Sequence, residues 1–303
     1  MIAKNLTRRR FLETTTAAGL TAFLPDLSFS AQQPFKLHYA PHAGLFEYSA
    51  GSSIVDQIAF AADAGFTAWE DNDMRGRSVS EQEDIAAALR RHDMMMGVFV
   101  GAGISWEEPG ITSGDEASRT KFLADIRGSV EVAKRINANW MTIVPDHVDP
   151  RIQPHFQMAN VVESLKQASA ILEPHGLIMV LEPLNFLDHP GMFLTEIPQA
   201  YMICKAVDSP SCKILFDIYH QQISEGNIIP NIEAAWDEIA YFQVGDVPGR
   251  NEPTTGEINY RRVFEHIHAK GYAGVVGMEH GKSTDSAKGE AALIAAYREV
   301  DAF

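Results

Sequence analysis

Cysteine is scarce in this chain: 303 residues hold only Cys204 and Cys212. Two are too few for a disulfide framework, and without C-x-x-C spacing they offer no structural zinc site. They could pair in an oxidising compartment, but one falls in an expected helix and the other opens an expected strand, so they read as separate, unpaired buried thiols. Positive charge is also in short supply, with 25 Lys and Arg against 40 Asp and Glu and a formal net charge of -15. Such a surface repels polyanions and argues against nucleic-acid or anionic-membrane binding. No apolar run is long enough to cross ~30 Å of hydrocarbon, which excludes a stable membrane span. The patterns G-x-G-x-x-G, G-x-x-x-x-G-K-S and G-x-S-x-G are missing. The usual dinucleotide, nucleotide-phosphate and serine-hydrolase readings fall with them.

What the chain does have is material for a large core, with 46% hydrophobic and 21% charged residues. Disorder, collagen-like and coiled-coil readings are excluded. At the start, Thr7-Arg8-Arg9-Arg10-Phe11-Leu12 precedes a weakly apolar run from Ala17 to Leu24, then Pro25 and the small residues Ser28 and Ser30. This resembles a twin-arginine export signal cleaved after Ser30. The resemblance implies the twin-arginine export machinery as a partner and a periplasmic or otherwise exported location. It divides the chain into a leader, residues 1–30, and a folded domain, residues 31–303. Loss of the leader removes Lys4, Arg8, Arg9 and Arg10 against Glu13 and Asp26, leaving the remainder more acidic still.

After the leader, short β-branched or apolar runs alternate with longer amphipathic ones, the pattern of repeated βα units and a parallel sheet. Strands are expected at 36–39, 67–70, 96–100, 140–144, 178–181, 213–216, 241–244 and 274–278. Helices are expected at 53–64, 81–91, 116–136, 159–175, 197–207, 260–270 and 286–300, with a short sixth one near 232–236. Gly65, Gly176 and Gly271 stand where a helix end turns into the next strand. Eight such units in ~270 residues, with no linker rich in Pro, Gly or Ser, favour a single (β/α)8 TIM barrel over an open doubly wound sheet.

Four consecutive expected strands end in a polar residue: Glu182, Asp217, Gln243 and Glu279. In a barrel the carboxyl ends of the strands share one face, so these side chains converge despite their separation in sequence. Three carboxylates and an amide oxygen suit a hard divalent cation, Mg²⁺ or Mn²⁺, better than structural zinc. Such a cation would also let Glu182 and Glu279 lie close together without like-charge repulsion protonating one of them.

The surrounding blocks resemble hydroxypyruvate isomerase. They are Leu181-Glu182-Pro183-Leu184-Asn185 with His189-Pro190-Gly191, and Phe216-Asp217-Ile218-Tyr219-His220-Gln221 with Glu225-Gly226. They continue with Phe242-Gln243-Val244-Gly245-Asp246, then Pro248-Gly249-Arg250, Glu252 to Tyr260, and Gly271 to Glu279. The broader group is the xylose-isomerase-like TIM barrels, which includes ketose 3-epimerases. The resemblance implies a metal-dependent isomerase that interconverts an α-hydroxyaldehyde and an α-hydroxyketone through an enediolate. It implies Glu182, Asp217, Gln243 and Glu279 as metal ligands, Glu182 and Glu279 as the acid/base pair, and His220 and Arg250 as substrate-binding residues. The expected partner is a small sugar or hydroxy-ketoacid, and homo-oligomer formation stays open. The export leader favours, as alternatives, a periplasmic ketose 3-epimerase or another enzyme acting on oxidised sugars. A non-catalytic sugar-binding barrel is the rival from another class.

Neighbouring residues carry weaker expectations. His220 either donates to a substrate oxygen or starts a helix, and Arg250 either faces the barrel mouth or forms a loop salt bridge. Asp246 is expected to orient its loop, and Glu257 either reaches the site or caps the following helix beside Asn259. His38 and His42 are read as solvated or packing residues, with pocket lining as the alternative. Trp106 either walls the pocket or packs its own loop. The run Glu70-Asp71-Asn72-Asp73 is read as a solvated face rather than a second metal site.

Overall fold

A computed structural model describes residues 34–303; the expected leader, with Arg8 and Arg9, lies outside the described residues. Eight short parallel strands surround the centre: β1 His38–Ala40, β2 Ala68–Trp69, β3 Met95–Met96, β4 Trp140–Ile143, β5 Ile178–Leu181, β6 Cys212–Asp217, β7 Ile239–Gln243 and β8 Val275–Gly277. Six pair side by side in the order β1-β8-β7-β6-β5-β4, and β2 pairs with β3. Single parallel bridges join the two sheets, from His42 to Glu70 on one side and from Met96 to Ala138 and Val100 to Thr142 on the other. The result is a (β/α)8 TIM barrel.

The main helices follow their strands: α1 Ile54–Asp63, α2 Val79–Arg91, α3 Glu116–Ile136, α4 Pro154–Leu172, α5 Ile197–Val207, α6 Ile228–Ala235, α7 Tyr260–Ala269 and α8 Ala287–Val300. Local chemistry sets their starts. Ser78 and Glu81 form a reciprocal capping box on α2, and Asp115 accepts from the Ser118 N–H at the head of α3. Helix α4 begins at Pro154, earlier than expected, because a proline at the first helical position lacks only an N–H that would have no helical partner. The sixth unit holds more helix than the short stretch expected near 232–236. A separate helix, Ile218–Ser224, starts directly at Asp217 before α6.

Alternation along the strands divides the core into two layers. Tyr39, Trp69, Met179, Leu181, Phe216 and Phe242 point outward and pack under the helices. Ala40, Ala68, Val98, Val180, Leu215, Tyr241 and Val275 fill the barrel interior. Burying side chains of the first kind contributes about 1.5–3 kcal/mol each. Met94 and Met96 are buried packing residues. Cys204 in α5 and Cys212 at the start of β6 are free, buried thiols. They are unpaired, as expected, yet close: a hydrogen bond with Cys212, together with burial, raises the Cys204 pKa.

Candidate active site

The period of two that fills the barrel also builds the site. Counting two residues on from interior Val180, Leu215 and Tyr241 gives Glu182, Asp217 and Gln243, and counting four from Val275 gives Glu279. The same count from Ala40 and Ala68 gives His42 and Glu70. These residues therefore follow the interior positions at the carboxyl ends of their strands, where barrel loops form a mouth.

Glu182, Asp217, His220 and Glu279 each place one ligand atom within 4.8 Å of the others. His220 Nε2 lies 3.6 Å from Glu182 Oε1 and 3.5 Å from Asp217 Oδ2. Arg250 Nη2 donates to Asp217 Oδ2 at 3.1 Å and to Glu279 Oε2 at 2.5 Å, while its Nε donates to the Glu279 carbonyl at 3.1 Å. Asp217 also accepts from the Tyr219 N–H at 2.8 Å, so its other oxygen caps the helix that follows β6. Arg250 lies over the Tyr219 ring, 4.7 Å from its centroid.

The hydrogen bonds to His220 fix its tautomer. Its Nδ1 faces the Asn185 backbone N–H at 3.1 Å and Asn185 Nδ2 at 2.8 Å. Asn185 Oδ1 is already engaged by the N–H groups of Leu187 and Asp188, which orients the amide as a donor toward Nδ1. Nδ1 is therefore the acceptor, and the neutral ring carries its proton on Nε2, toward the carboxylates. That arrangement suits a hydrogen-bond donor better than a metal ligand. The approach of Arg250 Nη2 to Nε2 at 3.3 Å then brings two donors together and is no hydrogen bond.

Burial dominates the electrostatics. It raises the pKa of Glu182 well above the ordinary range, with the nearby charges of Glu279 and Asp217 adding to the shift. Burial raises Asp217 as well, against the opposing pull of Arg250. His220 falls to about 3 through burial and the neighbouring Arg250. Burial alone would depress the Arg250 guanidinium, but Glu279, Asp217 and Glu182 together push its pKa up.

Two findings change the expectation for the run after β2. Glu70 and Asp71 are buried, at 1% and 3% exposure, so the run is not a solvated face. Strand alternation turns Glu70 inward, where Oε1 accepts from Gln243 Nε2 at 2.8 Å and Oε2 from the Tyr241 hydroxyl at 2.7 Å. Its pKa is pushed up to about 8, by burial first and Glu279 second. Asn72 Nδ2 donates to Glu279 Oε1 at 2.7 Å. Gln243 is thereby held through Glu70, and its own Oε1 is buried without a partner. Counting by two from Ala68 would have found Glu70; the acidic composition of the segment concealed it.

The remaining expectations divide. Asp246 does tie down its loop, accepting from the N–H groups of Val247, Gly256 and Ile258. Glu257 is exposed and accepts from Gln222, while Asn259 caps α7. His38 bonds Thr67 at 2.7 Å, whereas His42 lines a small cavity with Glu70, Asn72 and Glu279. Trp106 stacks on His189 with ring centroids 5.2 Å apart, and His189 lies 5.5 Å from His220.

A (β/α)8 barrel with acidic side chains gathered at the carboxyl ends of its strands defines the class. Within it, the chain belongs to the xylose isomerase-like TIM barrel family, which residues 58–299 match. It is similar to hydroxypyruvate isomerase of Escherichia coli, 37% identical over 131 residues, 43% of this chain and 51% of that one. This match spans about half the length of that relative. The 2-oxo-tetronate isomerase of Cupriavidus necator is 29% identical over 232 residues, covering 75% of this chain and 87% of its own. Among solved structures, a family 2 AP endonuclease from Brucella melitensis superposes with a TM-score of 0.75 at 24% identity, covering 86% of this chain and 98% of its own. That likeness concerns the fold.

Proposed function

We propose that the protein is a divalent-cation-dependent isomerase acting on an α-hydroxycarbonyl compound of the sugar or hydroxy-ketoacid class. The observation that carries this reading is the convergence of Glu182, Asp217 and Glu279 around one point, with the partnerless amide oxygen of Gln243 buried nearby. Two of the carboxylates, Asp217 and Glu279, share a single guanidinium, and the donors are hard oxygens, a set that fits Mg²⁺ or Mn²⁺. Glu182, Asp217, Gln243 and Glu279 would hold the cation. When bound, it supplies Lewis-acid polarisation of a substrate carbonyl, which acidifies the adjacent C–H. The similarity to two isomerases supports the reaction class.

The protein's own groups handle the proton. Glu182 and Glu279 form the acid/base pair: one carboxylate takes the proton from the carbon beside the carbonyl, and the same or the other returns it to the adjacent carbon. His220 directs its Nε2–H to the oxygen that gains negative charge, held in that tautomer by Asn185. Arg250 balances Asp217 and Glu279 and presents its guanidinium to a substrate oxygen.

The test is an NMR screen of hydroxypyruvate and small ketoses in deuterated buffer with Mg²⁺ or Mn²⁺. Deuterium should enter at the carbon next to the carbonyl as the isomerised product accumulates. Return to the same carbon with inversion would instead identify an epimerase. Glu182→Gln and Glu279→Gln should each lower turnover by ~10²- to 10⁴-fold at saturating cation. Sugars that bind without any exchange would sink the enzymatic reading and leave a binding barrel. Export is proposed on the leader sequence: replacing Arg8 and Arg9 with Lys should block delivery and processing, and unchanged fractionation would refute the twin-arginine route.

A further inference from the structure

Beside the carboxylate cluster the barrel mouth continues into a cleft of about 600 Å³ between the loops that follow β2 and β3. Pockets for drug-sized ligands occupy roughly 300–1,000 Å³, so a three-carbon acid at the carboxylates leaves this space unused. The loop after β2 contributes Asn72, Asp73, Arg75 and Arg77; the loop after β3 contributes Ile104 and Trp106. One side thus offers hydrogen-bonding groups and the other an apolar surface.

The two arginines of the cleft are already paired, and the carboxylates of Asp73 and Glu81 also line it. Arg75 Nη2 is bonded to Asp125 Oδ1 at 2.7 Å, and Arg77 engages both oxygens of Asp71 at 2.6 and 3.1 Å. With each arginine facing a carboxylate and Asp73 and Glu81 on the wall, the cleft as a whole disfavours a phosphate or a second carboxylate, and the chain carries -15. A neutral occupant fits. Trp106 is 47% exposed, and its stacking on His189 leads by adjacent rings to His220 in the cluster. Asn72 stands at the junction. Its Nδ2 holds Glu279, while its buried Oδ1 has no partner in the protein.

We propose that this cleft is a subsite for a second, neutral sugar ring, so that the substrate is a two-unit sugar rather than a free three-carbon acid. This rests on the isomerase reading above. The carbonyl-bearing unit lies at Glu182, Asp217 and Glu279, and the second ring extends toward Trp106. An apolar indole face meets the C–H face of a pyranose, while the hydroxyl groups meet the polar loop after β2.

The experiment compares D-fructose with maltulose, a fructose carrying a glucosyl ring, on the full-length protein loaded with Mg²⁺. Saturation-transfer NMR gives affinity and shows which protons touch the protein. Maltulose should bind on the order of tenfold more tightly, corresponding to ~1.4 kcal/mol, with saturation reaching its glucosyl C–H protons. Trp106→Ala should bring the ratio of the two affinities close to one, and Trp106→Phe should restore most of it. Equal affinities, no saturation of the glucosyl ring, or no binding of either sugar would overturn the subsite. Proton exchange in deuterated buffer is read separately. Maltulose held through its glucosyl ring without exchange would uphold the subsite and overturn the isomerase reading. Exchange of both sugars with equal kcat/KM would overturn the subsite and leave the isomerase reading standing.

Discussion

Glu70 shows what a single buried carboxyl requires of its surroundings. It accepts from Gln243 and Tyr241, and it fills space over Gly277, where an added Cβ would collide with Glu70 Oε2. Gly97 similarly leaves room for the Tyr241 hydroxyl, which accepts from the Val98 N–H at 3.3 Å. The absence of side chains at Gly277 and Gly97 is thus part of how Gln243 is held. Gly277→Ala should destabilise the protein by about 1–3 kcal/mol through overpacking, measured as a shift in the urea midpoint. If contact with Glu70 is the cause, adding Glu70→Ala should remove most of the penalty for Ala at 277. A double-mutant cycle with no coupling between the two positions would refute that cause.

At the scale of strands and helices, Asp217 does two jobs because β6 runs directly into a helix. One oxygen caps Ile218–Ser224 through the Tyr219 N–H, and the other faces the cluster. Asn serves as an N-cap about as well as Asp, so Asp217→Asn should leave the cation-free protein at least as stable as the parent. It should nevertheless weaken Mg²⁺ or Mn²⁺ binding, read as a smaller cation-induced rise in Tm; an undiminished rise would count against Asp217 as a ligand. The same strand logic explains what was legible beforehand. β5 to β8 were readable with their polar ends because each carries several apolar residues before a single polar one. β2 and β3 are two residues long, too short to display alternation, and the acidic run after β2 looked like surface. Asn185 stands in the sequence only as one residue of the run Leu181 to Asn185. Its role depends on a contact with His220, 35 residues away, which no local pattern displays.

Across the whole molecule, the buried acids and the buried histidines pull stability in opposite directions with pH. Glu70, Glu182 and Asp217 have raised pKa values, chiefly from burial, with Glu70 at about 8. Their folded forms bind more protons than the unfolded chain from the ordinary carboxylate range near ~4 upward, so their contribution is present at low pH and lost as pH rises, for Glu70 through about 8. His220 and His280 are held neutral, each lowered to about 3 by burial. Their contribution is complete above the unfolded value of about 6.5 and is lost as pH falls toward 3. Between pH 6.5 and 8 only the acids remain, so the Tm of cation-free protein should fall over that interval. On the proposed function, a bound cation would compensate the charge and stabilise the fold by mass action, by about 2.7 kcal/mol at a hundredfold excess over Kd. For a domain of this size that corresponds to roughly 5–10 °C in Tm. The increment should grow with pH, because protons compete for the same carboxylates. Thermal melts at pH 6.5 and 8, with and without Mg²⁺ or Mn²⁺, check both statements. A cation-free Tm that held steady or rose toward pH 8 would contradict the raised acids, and a cation increment independent of pH would place the ion elsewhere.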